Sequence, residues 1–163
     1  MLKIEEWLAK IHNTNVDNIK NILKHEKATT YLMVWSTFEQ KIFEGFMTKN
    51  IISNTAKRYS PLYDLLNVDN IAKRFHSRYQ NKINFKHLRH NETNVVEIEK
   101  ILSKQYHTLS NTEKLHLLFY VSYRYRNNIF HGNKGVLAWN RYTQQINDCI
   151  LFMISLIDNY KNL

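Results

Sequence analysis

The sequence predicts an all-α protein, an antiparallel bundle of roughly five helices forming one domain over residues 1–163. Three observations lead there. Three glycines and one proline are too few breakers for a turn-rich sandwich or barrel, whereas helices need few. Apolar residues recur at steps of three and four along most of the chain. A capping box, Ser110 with Glu113 three residues on, opens a long periodic segment that stops at Gly132. At 163 residues and 44% apolar content, the chain can bury a real core and is not of the disordered class.

The elements follow in order. In "IEEWLAKI", Ile4, Trp7, Leu8 and Ile11 share one stripe, a short amphipathic first helix. "HNTNVDN" interrupts it and offers Asn15 or Asp17 as the next N-cap. From there to about Met47 the pattern is helical, with Ile19, Ile22, Leu23, Leu32, Trp35, Phe38, Ile42 and Phe46 at three- and four-residue steps. "NTAKRYSPLYD" holds Pro61, the single proline, and marks a boundary. "VDNIAKRFHSRYQNKINFKHLRH" follows, capped by Asp69 or Asn67, with Ile71, Phe75, Tyr79 and Ile83 spaced by four among cations. "NVVEIEKILSKQY" is another short helix. The capped segment then runs through Leu117, Leu118, Val121, Tyr125 and Ile129 to Gly132, suited to the C′ position. The last helix spans "GVLAWNRYTQQINDCILFMISLIDNY" and is apolar nearly all round after Cys149, which suits a central place or a partner interface. Short connections favour antiparallel neighbours.

The formal charge is +9, which favours polyanions, because each cation placed near a phosphate releases condensed counterions. Ten tyrosines and eight phenylalanines offer surfaces for stacking on unpaired bases. A single cysteine, Cys149, excludes an intrachain disulfide and a multi-Cys zinc site. Glu5 and Glu6 beside Trp7 do not suit a secretory leader, and the run after Cys149 is too short to span a bilayer, so a cytoplasmic protein is expected.

The segment "YRYRNNIFHG", Tyr123 to Gly132, sets arginines, asparagines and a histidine among aromatics. Arg126 and His131 are five apart, about 140° around a helix, so they do not share a narrow face. Asn127 and His131 are four apart and do. His131 falls in the last helical turn, where the dipole favours imidazolium. Arg126 supplies a rigid fork for phosphate oxygens, and Asn127 a group to orient the imidazole or hold a phosphate. Arg124, Asn128, Asn133 and Lys134 add donors, with no carboxylate among them.

"RNNIFHG", Arg126 to Gly132, resembles the signature of the HEPN superfamily: an arginine, a polar residue, three more residues, then histidine. "WSTFEQKIF" is similar to the aromatic first long helix of small bacterial members, and the order of elements fits a HEPN-like bundle over most of the chain. The resemblance implies a metal-independent endoribonuclease that needs no cofactor. It implies a homodimer with two motifs facing each other in one cleft at the interface. The 2′-OH of RNA attacks the adjacent phosphate and leaves a 2′,3′-cyclic phosphate and a 5′-OH. Arg126, His131 and Asn127 would carry that chemistry: charge stabilisation, proton transfer and positioning. A toxin or anti-phage defence role, with an antitoxin partner, follows from the family alone. Some HEPN toxins have a tyrosine two residues after the histidine for a partner nucleotidyltransferase to modify; this chain has Asn133, which sets that route aside. Many HEPN proteins bind nucleic acid or nucleotides without cutting, so a non-catalytic module is the first alternative and a helical adaptor the second.

Further residues are weighed around that site. Arg124, Asn128, Lys134, Arg74 and Arg78 are expected as RNA contacts, the last two in a phosphate track with Lys73 and Lys82. Tyr123 and Tyr125 flank the motif, core by default yet placed to stack on a base. Glu39 on the aromatic helix is a candidate to orient Arg126 or His131, with an ordinary exposed ion pair as the equal alternative. His87 and His90 are three apart, but Lys86 and Arg89 beside them favour a solvated basic face over a metal site. No metal site is expected.

Overall fold

A twenty-residue helix with apolar residues on every side needs neighbours on every side, and that is the place of Asn111–Phe130. A computed structural model describes residues 3–24, 26–130 and 141–163 of the chain, apart from the side chains of Ala28 and Phe130. The helices are α1 (Ile4–Ile11), α2 (Val16–Leu23), α3 (Glu26–Phe38), α4 (Lys49–Tyr59), α5 (Tyr63–Leu66), α6 (Asp69–Gln80), α7 (Lys82–Arg89), α8 (Val96–Ser103), α9 (Asn111–Phe130) and α10 (Thr143–Asn159). No strand occurs among the described residues. The all-α class and the helical bundle expected from the sequence are what the chain forms.

α9 is the axis. It starts at the expected box: the Glu113 N–H donates to Ser110 Oγ (3.2 Å), and the Ser110 N–H donates to Glu113 Oε2 (2.9 Å). Leu115 and the run Leu117–Ser122 are essentially solvent-free, packed by α4, α6, α7, α8 and α10. α3 lies along α10. Its Tyr31, Trp35 and Phe38 face inward, as does Ile42 just beyond its end, and Phe38 meets Phe119 of α9 and Phe152 of α10 at ring separations of 5.9 and 6.0 Å. Close packing of that aromatic centre joins the three helices.

Several boundaries differ from the sequence reading. The helical pattern read to about Met47 is realised as α2, α3 and a π-helical turn over Glu39–Phe43, which ends at Glu44 in the left-handed region (φ 53°). The supposed boundary "NTAKRYSPLYD" contains the second half of α4, whose Ile52, Ala56 and Tyr59 pack on α9. Pro61 sits in the first turn of the following 3-10 helix, where a missing N–H leaves no bond unmade. The long basic segment breaks at Asn81, whose side chain caps α7 by accepting from the Ile83 and Asn84 N–H groups (both 3.1 Å). The last helix is not buried all round: Ile150, Phe152, Met153 and Leu156 face in, while Leu151 and Ile154 face out. On α1 the apolar stripe is also outward, with Ile4, Trp7 and Ile11 exposed.

Candidate functional site

The polar segment occupies the last two turns of α9, and the helix divides it into two faces. Arg124 and Asn128, one turn apart, point towards α7. The Arg124 Nε donates to the Leu88 carbonyl (3.2 Å) and its Nη2 to the Arg89 carbonyl (2.8 Å). Asn128 Nδ2 donates to the Leu88 carbonyl as well (3.0 Å). These are end carbonyls of α7, left without partners by their own helix and favourable to a cation. Glu92 lies 3.7 Å from Arg124 and accepts from the Tyr120 hydroxyl (2.8 Å) and from Lys49 (3.1 Å). Arg124 is 7% exposed and Asn128 is fully buried. Both were expected as RNA contacts; the structure instead engages them in fastening α9 to α7, because a buried guanidinium must have its donors met.

Arg126 and Asn127 lie on another side, towards α3. Arg126 is half-buried, and its Nη1 donates to Asn127 Oδ1 (2.9 Å), which braces the guanidinium. Asn127 therefore has its oxygen on Arg126. Beneath them Tyr31 is fully buried and its hydroxyl donates to the Ser122 carbonyl (2.8 Å). Burial pushes the Tyr31 phenol well above its ordinary range, with the nearby Arg126 charge opposing that shift. Tyr31 thus forms an uncharged polar floor under the arginine. His131, Gly132, Asn133 and Lys134 lie outside the described residues.

The aromatics of the segment separate as well. Tyr125 is buried, and its oxygen accepts from the Tyr79 hydroxyl (3.0 Å), so it belongs to the core. Tyr123 is half-buried against the same core. Cys149, beside these residues, is a buried thiol that burial pushes up to about 12, which keeps it protonated at neutral pH.

The remaining residues are scattered. Glu39 Oε1 accepts from the Met47 N–H (3.0 Å) and so closes the loop after the π turn. Arg74 makes a two-pronged pair with Asp148, Nε to Oδ2 (3.0 Å) and Nη2 to Oδ1 (2.7 Å), so much of its charge is neutralised. Arg78 is half-buried, its guanidinium 5.9 Å from the Tyr79 ring centre. Lys73, Arg74 and Arg78 border a groove of about 580 Å³ between α6 and the start of α10. His76 is core, its Nε2–H donating to the Ile101 carbonyl (3.3 Å). His87 and His90 are exposed. No cluster of three or more potential metal ligands occurs among the described residues, and no helix among them is long and apolar enough to cross a membrane.

Sequence reasoning did not single out Glu92, Asp148, Gln144 or Gln145. Asp148 had a signal, a carboxylate opening the apolar run "CILFMISLI", which marks a charge that must find a partner on folding. Glu92 had none, since its partners come from two distant elements, Lys49 of α4 and Tyr120 and Arg124 of α9. Compared with family models, curated proteins and solved structures, the chain matches none.

Proposed function

We propose that this chain is a HEPN-type, metal-independent endoribonuclease that cuts RNA by 2′-OH attack. The observation that carries the reading is Arg126: a guanidinium held by Asn127 in the last turns of the central helix, five residues before His131. Bracing fixes the fork before substrate arrives, so little reorganisation opposes its contact with a phosphate. Proton transfer falls to His131. One copy removes the 2′-OH proton while the oxygen attacks phosphorus, and the second protonates the departing 5′-oxygen. Arg126 neutralises charge on the phosphoryl oxygens as they become more negative. The products are a 2′,3′-cyclic phosphate and a 5′-OH.

Two histidines in one cleft require two chains, so the active form is a homodimer with its motifs facing across a two-fold axis. The proposed setting is a toxin or anti-phage effector restrained by a partner protein. A second reading, a HEPN module that binds RNA or nucleotides without cutting, is favoured by the burial of Arg124 and Asn128. Half of the polar segment serves packing, and a protein can keep that half without any catalysis.

The deciding experiment incubates the protein with labelled RNA in excess EDTA, beside a copy with deoxyribose at every position. Cleavage of RNA alone, lost in Arg126→Ala and His131→Ala, is the expected result. Intact RNA that still binds in a salt-dependent way would favour the non-catalytic module. Absence of both would leave the adaptor role.

A further inference from the structure

The groove between α6 and α10 is lined by amides as well as cations, and most of the amides are fixed by their partners. Asn81 accepts two backbone N–H groups through Oδ1, which leaves its Nδ2 as a donor. Asn84 Nδ2 donates to the Arg78 carbonyl (3.2 Å), which leaves Oδ1 as an acceptor. Gln144 Nε2 donates to Asp148 Oδ1 (3.0 Å), which leaves its Oε1 as an acceptor. Carbonyls and carboxylates only accept, so these amides cannot be turned the other way without losing a bond. Gln145 Oε1 is buried and accepts no hydrogen bond from any described residue. All four line the one groove, together with Lys73 and Arg78.

Resting on the nuclease reading, we infer that this groove takes an unpaired base of the RNA substrate, and that it selects bases bearing an exocyclic amino group over uracil. Asp148 already neutralises Arg74, so Lys73 and Arg78 are left to hold a phosphate at the groove's rim. Inside, two fixed acceptors and the unmet Gln145 oxygen stand beside the Asn81 amide donor. An exocyclic amino group offers two N–H bonds to acceptors, and the adjacent ring nitrogen of cytosine or adenine receives the Asn81 donor. Uracil has a single N–H on its pairing edge, between two carbonyls, and would set its oxygens against the groove's oxygens. Base edges are open to such reading only when unpaired, so single-stranded segments are the substrate class. The groove adjoins the start of α10, and behind it Tyr79 of α6 bonds to Tyr125 of α9, one residue from Arg126. A base seated there rests on α6, which packs against the helix that carries the motif.

The test uses 2′-O-methyl hexamers of cytidine, adenosine and uridine, which bind but cannot be cut by 2′-OH attack. In fluorescence anisotropy the cytidine and adenosine hexamers should bind at least about fivefold tighter than the uridine hexamer. Gln144→Ala, on an exposed side chain, should bring them close to uridine, with the melting temperature as the check that the fold persists. Lys73→Glu with Arg78→Gln should weaken all three alike and flatten their dependence on salt. Equal binding of the three hexamers by the folded protein, or a preference that survives both Gln144→Ala and Gln145→Leu, would overturn the inference. The two readings fail separately. A protein that cuts RNA without base preference keeps the nuclease and loses the groove, while selective binding without cleavage keeps the groove and loses the nuclease.

Discussion

At Arg124 and Arg126, two residues apart on one helix, the same side chain does opposite work. Arg124 is enclosed, with donors on the α7 end carbonyls and Glu92 at 3.7 Å. Truncating it removes a charged donor from each of those carbonyls, takes one of two cations from the part-buried Glu92 and leaves the space of a buried side chain unfilled. Arg124→Ala should therefore cost about 3 kcal/mol, which for a chain of this size lowers the melting temperature by roughly 6–12 °C. Arg126 is half-buried and braced by the Asn127 amide, and Arg126→Ala should change stability by less, about 1 kcal/mol, the worth of an ordinary hydrogen bond. On the proposed function the order reverses for activity. Arg126→Ala loses about 10²–10³-fold in cleavage, the scale of a charge-stabilising donor, while Arg124→Ala retains activity at temperatures where it is folded. Thermal melts and initial rates at 20 °C on the two variants check this. Equal stability losses would refute the division of the motif into two faces.

At the scale of elements, the sequence made some helices plain and hid others for physical reasons. α9 was legible because its start is written locally: Ser110 and Glu113 satisfy each other across one turn whatever lies around them. α4 was not, since Ala56 and Tyr59 on its inner face are weak signals among Asn, Lys and Arg. Pro61 was read as a boundary and does stand just past the end of α4, but the helix before it was not read. α1 shows the opposite limit, for periodicity reveals a stripe without revealing its direction, and here Trp7 points outward. The site divides the same way. Arg126 and Asn127 were readable as polar residues of the motif, although Asn127 was set with His131 and its bond to Arg126 was not foreseen, and the engagement of Arg124 depends on where α7 ends, a tertiary fact. Contacts between elements also set the response to pH. His116 of α9 lies 3.8 Å from Glu97 of α8, yet burial holds its imidazole below the usual range, with Glu97 only partly opposing. A folded-state value below the unfolded one, about 6.5, means the unfolded chain takes up more protons as pH falls. This contribution is thus complete above about pH 6.5 and is lost as pH drops through the folded value. Melting temperature should decline between pH 7 and 5, and His116→Gln should make that decline shallower. A steeper decline in the variant would show that the imidazole is stabilised by protonation instead.

For the whole molecule, a charge of +9 favours polyanions but does not decide how many chains make a site. The proposed chemistry does, because it needs a base and an acid at once and the motif supplies one histidine per chain. If each cleft takes its base from one chain and its acid from the other, a defect in one chain disables the whole cleft. A wild-type chain paired with a His131→Ala chain leaves one histidine where two are needed. Mixed in equal amounts under conditions that let subunits exchange, random pairing gives about half the molecules one chain of each kind and leaves about a quarter wild type on both sides. The mixture should then cut labelled RNA at about half the rate of the same amount of wild-type protein left unmixed. The loss should grow with exchange time and vanish when the subunits are crosslinked before mixing. An undiminished rate, with exchange verified by mass, would place the whole site within one chain and make Arg126 and His131 a single-copy pair.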